Sequence, residues 1–458
     1  MKRAILRAQG KKKKYLARQA KLREEEDSDA SLSSDDEEEV SDSIIGNQIN
    51  EQYIILKYLG RGTFSKVWLV HDFIEDSFMA LKIQEERYIK DLEIEITNLK
   101  NIQGKEGHPN VAKFYGVLDF KLNNEPKKGV LMELLGSSLD VLISKDYDDK
   151  LNSNIVKKIF SDILNGVDYI HRRGYIHNDL KPDNILVSKP NKKLEGFIEK
   201  IKELEINKYY LKKIEELTPV EIKLLDRNKR KMVKRKIKNR AAKQTIKDVR
   251  KTVIDINNKS LENLEMNIEE LRDSDEEQTK DDIKINEIDL DNISVKIIDF
   301  GNTETIGRME NDEILTRCYR PPENILNSFY NEKADIWVIG CMLYEVLNGN
   351  SLFDLRDYNL DSMEKDRKHM AQMYDVLGKM PKELAMDCEF SEDIFDAKGR
   401  IIKNKGIEQR DIKSEIRERI KMEENEIDTI HDLIFKILNY DYKIRPTCQE
   451  ILNHKWFQ

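Results

Sequence analysis

Apolar and polar positions follow different periods along the chain, and the changes of period divide it. Tyr53-Ile54-Ile55-Leu56 and Lys66-Val67-Trp68-Leu69-Val70 are short β-rich runs flanking Gly60 and Gly62, and Phe78 to Ile83 is a third. All three read as strands. Between Leu92 and Ile102 the period becomes helical, with Leu92, Ile96 and Leu99 on one face. A small sheet with one helix is the simplest arrangement. Helical spacing returns at Leu194, Phe197, Ile198 and Ile201, and again at Tyr210, Leu211, Ile214 and Leu217. Thr218-Pro219-Val220-Glu221 has the form of a capping box with proline at the first helical position. It predicts a helix that starts there and runs through Arg227–Lys243. Val295, Ile297 and Ile298 restore apolar sequence, and Ala334-Asp335-Ile336-Trp337 opens an apolar helix.

Charge marks two stretches that these elements do not claim. Residues 1 to 50 read as a disordered arm, basic over 2–23 and acidic over 24–39, because such blocks bury too little apolar surface to offset the entropy of ordering. Residues 189–294 read as an insert. Ten of the seventeen residues in Arg227–Lys243 are basic and none is acidic, and the insert's end turns acidic at Asp273-Ser274-Asp275-Glu276-Glu277. Its Gly/Ser-linker replacement is expected to leave the rest folded, since long loops add little closure entropy. The remaining units are 51–134, 135–188 and 295–458. The whole chain is 36% charged and 39% hydrophobic, with a formal charge of −8. No window reaches the ~18 apolar residues of a membrane span, and no apolar region follows the basic start, so neither a membrane protein nor a secretory signal is expected. Cys318, Cys341, Cys388 and Cys448 form no C-x-x-C pair, which points to a reducing compartment rather than to disulfides or zinc.

Candidate chemistry sits at the junctions. Leu59-Gly60-Arg61-Gly62-Thr63-Phe64-Ser65-Lys66-Val67 is a glycine loop between two strands, able to bring backbone close to phosphates. A two-glycine hairpin has the same look, and Ser65 stands where a third glycine would complete the pattern. Ala80-Leu81-Lys82 puts a lysine on a strand flanked by apolar residues, where it needs a carboxylate or a phosphate. Glu95 is the candidate partner and Glu93 the rival. In His177-Asn178-Asp179-Leu180-Lys181-Pro182-Asp183-Asn184, Asp179 can accept a hydroxyl proton, Lys181 can neutralise a transferring phosphoryl group, and Asn184 can hold Mg²⁺. Asp299-Phe300-Gly301 supplies a carboxylate on a glycine turn for the metal. Glu323 and Arg445 are candidates for a buried ion pair, and Asp335 for bracing the catalytic loop.

In this order the motifs resemble a eukaryotic protein kinase, from Gly60 to Arg445. Thr316-Arg317-Cys318-Tyr319-Arg320-Pro321-Pro322-Glu323 resembles the CMGC group. Glu133-Leu134-Leu135-Gly136, His369 to Lys379, Phe390-Ser391-Glu392 through Gly399, and a large insert before the metal-binding aspartate are similar to the SR-protein kinases. The resemblance implies an α+β bilobal fold and ATP with Mg²⁺ as cofactors. ATP would meet the glycine loop, Ala80, Lys82, Met132, Glu133, Leu135 and Leu186, with Met132 as gatekeeper. It also implies transfer to Ser/Thr of protein substrates, Arg/Ser-rich ones among them. Of three substrate-groove positions, Asn350, Lys368 and Asp375, only the last is acidic. Asn178 replaces the arginine that usually meets an activation-segment phosphate, so constitutive activity is expected.

Two other readings stay open: a pseudokinase scaffold or other CMGC-type kinase, and nucleic-acid binding by the basic stretches. Little aromatic interleaving and adjacent acidic blocks make nucleic acid an unlikely partner. A soluble, monomeric protein of cytoplasm or nucleus is the expectation, in a host's compartment should the A/T-rich codon bias behind its Asn, Lys and Ile be viral.

Overall fold

The computed structural model describes residues 44–62, 65–144, 151–272 (side chains to 260), 288–307, 315–355, 360–386, 388–402, 408–420 and 422–458. Thr63, Phe64 and residues 1–43 of the arm lie outside them. Six antiparallel strands form the first layer: β1 (Gln48–Ile49), β2 (Tyr53–Gly62), β3 (Ser65–Asp72), β4 (Ser77–Gln84), β5 (Phe114–Leu122) and β6 (Glu125–Met132). Their order is β1-β2-β3-β4-β6-β5. Helix α1 (Ile89–Gln103) crosses between β4 and β5 and buries Leu92, Ile96 and Leu99. The β5–β6 hairpin escapes the periodicity argument. Its signal is the pair Asn123-Asn124, both at positive φ (50° and 67°), which suits a tight turn matching strand twist.

A second, larger core is built from helices. Here α2 (Leu139–Ile143) and α3 (Ser153–Arg172) precede the short strands β7 (Tyr175–Ile176) and β8 (Ile185–Val187). Asn152 caps α3 by accepting from Ile155 N at 3.1 Å. The cleft lies between this core and the sheet, and β6 leads across it.

The insert's helices pack into the sheet's core, contrary to the expectation that the insert can be replaced by a linker. Helices α4 (Lys192–Lys202), α5 (Ile206–Leu217) and the 46-residue α6 (Arg227–Arg272) follow β8. Phe197, Ile198, Ile201, Tyr210, Ala241, Ala242, Ile246 and Val253 pack in one apolar cluster with Ile54, Leu56, Trp68 and Val70 of the sheet. Phe73 meets the Tyr210 ring edge-on at 5.3 Å, and Asn207 Nδ2 donates to the Phe73 and Ile74 carbonyls at 2.9 and 3.0 Å. A helical period shows that a face will be buried, but not against what.

Two boundaries also move. Ile44 and Ile45, read as arm, are buried in that cluster at 8% and 2% exposure, because the apolar pair follows the charged blocks but does not share their composition. The helix expected from Thr218 starts instead at Arg227. Val220–Leu224 is a 3₁₀ turn without a side-chain cap, and Asp226 Oδ1 accepts from Asn228 N and Lys229 N at 3.0 Å. The aspartate is the stronger cap for those free N–H groups.

After the insert, β9 (Val295–Ile297) pairs with β8, and β10 (Glu304–Thr305) with β7. Helix α7 (Pro322–Ile325) precedes α8 (Lys333–Asn348), which is buried from Ala334 to Leu347, and α9 (Ser362–Leu377) is opened by a capping box from Asp361 and Glu364.

Candidate active site

The lysine of β4 and the glutamate of α1 meet under the sheet. Lys82 Nζ donates to both Glu95 oxygens at 2.8 and 2.9 Å and to Asp299 Oδ1 at 3.3 Å. All three ammonium protons are thereby answered. Glu93, the rival, faces outward and pairs with Lys128 at 3.1 Å. One residue separates i+2 neighbours by over half a turn, so only one of the two can face the strand.

Opposite, the loop between β7 and β8 is held from below. Asp335, fully buried at the start of α8, accepts from His177 N at 2.9 Å, Asn178 N at 3.1 Å and His171 Nε2 at 2.8 Å. Asn178 takes φ +65°, a left-handed conformation that asparagine tolerates better than most side chains. The turn aims Asp179 into the cleft, where Asn184 Nδ2 donates to its carbonyl at 2.7 Å and Thr316 Oγ1 to its Oδ1 at 3.2 Å. Lys181 Nζ lies 3.3 Å from Asp179 Oδ2. His177 Nδ1 accepts from Asp179 N, so its Nε2 donates to the Ile298 carbonyl at 3.0 Å. One imidazole tautomer thus ties this loop to the strand that carries Asp299.

Asn184 and Asp299 follow from the β8–β9 pairing. Ile185 faces Ile297 in register, and Ile298 N donates to the Asn184 carbonyl at 3.0 Å. Among the described residues no group of three or more His, Cys, Asp or Glu could hold a metal. An amide oxygen and a carboxylate do suit Mg²⁺, which binds through one or two protein oxygens and keeps waters and phosphate oxygens for the rest. In the sheet, Gly60 faces Val67 and Ala80 faces Met132, and Leu186 is half-buried beyond them. A side chain at Gly60 would meet nothing within 4 Å, so the loop leaves open space there. Glu133 binds Lys296 at 2.8 Å, and Leu135 is buried. The next residue must be glycine: a Cβ on Gly136 would lie 2.1 Å from the Lys189 carbonyl oxygen.

The sequence profile of the protein kinase domain matches residues 53–204 and 279–457. The chain belongs to the protein kinase family. The profile passes over 205–278, a narrower gap than 189–294. Relatives of the kinase include Protein kinase dsk1 of Schizosaccharomyces pombe, 28% identical over 90% of this chain and 82% of that protein. Others are Serine/threonine-protein kinase SRPK of Physarum polycephalum (27%, 90% and 87%) and SRSF protein kinase 3 of Mus musculus (22%, 90% and 87%). A solved kinase domain superposes with a TM-score of 0.58 at 20% identity, covering 90% of this chain and 97% of that one, and shows the bilobal fold. The protein is a serine/threonine protein kinase similar to the SR-protein kinases.

Electrostatics in the kinase site favour the charged forms of Lys82 and Asp299, while burial and the neighbouring Asp299 raise the Glu95 carboxyl. Burial opposes the Lys82 charge, but Asp299 and then Glu95 outweigh it and raise the ammonium's pKa. The cleft walls push the Asp299 carboxyl up, while Lys82, His177 and Lys181 pull it further down, so it ends below the usual carboxylate range. The two shifts agree on a pair that stays ionised. Arg445 binds Glu323 through two bonds of 2.6 and 2.7 Å inside the large core and lies over Trp337 at 5.0 Å.

Asn98 escapes the motif reading. It is buried on α1 three residues after Glu95, and its Nδ2 donates to the Phe300 and Thr303 carbonyls at 3.0 and 2.9 Å. The helix that positions Lys82 is thereby tied to the turn bearing Asp299. The available signal was a polar residue on the buried face of α1.

Proposed function

We propose that Asp179 is the general base of this kinase, with Lys181 offsetting charge beside it, and that Asn184 and Asp299 hold Mg²⁺. ATP, bound with the metal, supplies the transferable phosphoryl group. Gly60, Gly62, Ala80, Met132 and Leu135 would border it, with Arg61, Ser65, Lys66 and Leu186 at the edges of the same cleft; Thr63 and Phe64 fall outside the described residues. The observation carrying this reading is Lys82, held at once by Glu95 and Asp299, while Asp179 accepts from Thr316. Hydrogen-bonded this way, Asp179 keeps one orientation toward an incoming hydroxyl.

The substrate we infer is a serine or threonine in a basic segment, Arg/Ser-rich peptides included. Asp140, at the start of α2, lies near Asp183 of the catalytic loop, and the Asp140 carboxyl is raised by burial and then by Asp183. Two carboxylates that repel one another are relieved by a guanidinium. The groove positions contribute less: Asp375 Oδ1 already accepts from Glu408 N at 2.8 Å. Lys82 joined to Glu95 and Asp299, with uncharged Asn178 in the loop, supports constitutive activity. Four free cysteines and the absence, among the described residues, of a helix long and apolar enough to cross a membrane support a reducing cytoplasmic or nuclear location. The test is Mg²⁺-dependent phosphate transfer to a serine peptide flanked by arginines and to its glutamine-flanked twin. Preference for the first is expected. Equal rates would remove the basic-substrate reading, and ATP binding without transfer to any peptide would favour the scaffold.

A further inference from the structure

One stripe of α6 carries charge of one sign. Counting 100° per residue, Lys236, Arg240, Lys243, Lys247 and Lys251 fall within an arc of roughly 80°, about 120° around the helix from Ala242, Ile246 and Val253, which the sheet buries. All five are exposed, and among the described residues no carboxylate pairs with any of them. No acid occurs from Arg227 to Lys247. The next one, Asp248, takes the Tyr209 hydroxyl at 2.6 Å. Like charges three and four residues apart repel on a helix, so the bare stripe is an unfavourable arrangement that an anion relieves.

The chain enters the described structure beside this stripe. Ile44 and Ile45 pack with Ala241, Ala242, Ile246 and Val253, and a Cβ on Gly46 would touch Arg250 Cγ at 2.7 Å. The acidic run Asp35-Asp36-Glu37-Glu38-Glu39 ends five positions before Ile44. Extended chain spans roughly 3.4 Å per residue, which gives the run a reach of about 17–31 Å from that anchor. Lys236 stands fourteen residues before Arg250 on α6, or about 21 Å at 1.5 Å per residue. The lengths match. Charge also sets the direction, since Asp255, Glu262, Glu265, Glu269 and Glu270 lie further along α6 and would repel the run.

We propose that Asp35–Glu39 docks in cis on the Lys236–Lys251 stripe of α6, shielding it from other polyanions. The short tether gives millimolar-scale effective concentration, which a free polyanion must exceed. The basic start, Lys2–Arg23, is the rival for these acids, but Glu24 to Asp29 stand nearer to it.

Zero-length carbodiimide cross-linking of the full chain, read by mass spectrometry on the monomer, tests the contact. Cross-links from Asp35–Glu39 to Lys236, Lys243, Lys247 and Lys251 are expected, fading in high salt as the Debye length shrinks. Cross-links confined to lysines 2–21, or spread over the large core's lysines, overturn the proposal. The variant D35N/D36N/E37Q/E38Q/E39Q provides a second readout by anisotropy of a single-stranded RNA oligonucleotide. It should bind about tenfold more tightly than the natural chain at low salt, because the stripe is uncovered. Equal, tight binding by both chains would mean that the face is open and takes nucleic acid.

Discussion

Asp179 and Asp299 are both cleft carboxylates, yet their partners separate their tasks. Asp179 is oriented by Asn184 and Thr316, so Asp179→Asn should preserve ATP affinity and lower single-turnover rate by ~10²–10⁴-fold. Asp299→Asn should instead remove the Mg²⁺ dependence of nucleotide binding, measured by titration with and without the metal. Asn98→Ala strips the Phe300 and Thr303 carbonyls of their donor. A stability loss of about 1–3 kcal/mol is expected by denaturant melts, together with weaker Mg²⁺-nucleotide binding. Asp335 gives a pH signature. Burial pushes its carboxyl up, but the His171 hydrogen bond and charge, His177's charge and the His177 N–H bring it below the ordinary value. Stability from a depressed carboxyl is present above its unfolded pKa and is lost as pH falls through the folded one. The Tm gap between the natural chain and Asp335→Asn should therefore be constant near neutrality and shrink below about pH 4.

Helices α4 to α6 act as an outer wall of the sheet. Phe197 and Ile246 are both buried there, at 2% and 6% exposure. Phe197→Ala or Ile246→Ala should each cost ~2–5 kcal/mol in unfolding free energy. Replacing residues 192–272 with a Gly/Ser linker should expose the apolar cluster and bring down the sheet's melting transition, even though the catalytic loop lies on the other core. A linker variant with the natural Tm and peptide kinase rate would show that the wall is dispensable. The period of Phe197, Ile198 and Ile201 was legible as an amphipathic helix, but a period carries no address. Which face of which layer receives it depends on Phe73, Trp68 and Leu56, more than a hundred residues away.

In the molecule as a whole, two cores meet at a cleft that Lys82 and Asp299 link across, while Asn98 fastens α1 to Phe300 and His177 fastens the catalytic loop to Ile298. Thr303 is buried and donates to the His177 carbonyl at 3.3 Å, and Thr316 serves Asp179. Kinase produced in bacteria should phosphorylate a basic serine peptide equally before and after phosphatase treatment. A tenfold fall restored by an upstream kinase would overturn constitutive activity. The sequence by itself determined where the candidate chemistry lies, because Asp179, Lys181 and Asn184 fall within six positions and Asp299 follows directly on its strand. Local spacing is enough when the chain cannot place such residues far apart. It also determined that α1, α4 and α5 are helical and that Lys82 pairs with a glutamate on α1. Only the tertiary structure decided that Ile44–Ile45 and the insert complete the sheet's core, that Asn98 fastens α1 to the Asp299 turn, and that a basic stripe is left facing outward. Those contacts join residues distant along the chain, and burial against a particular neighbour is a property of the packed whole.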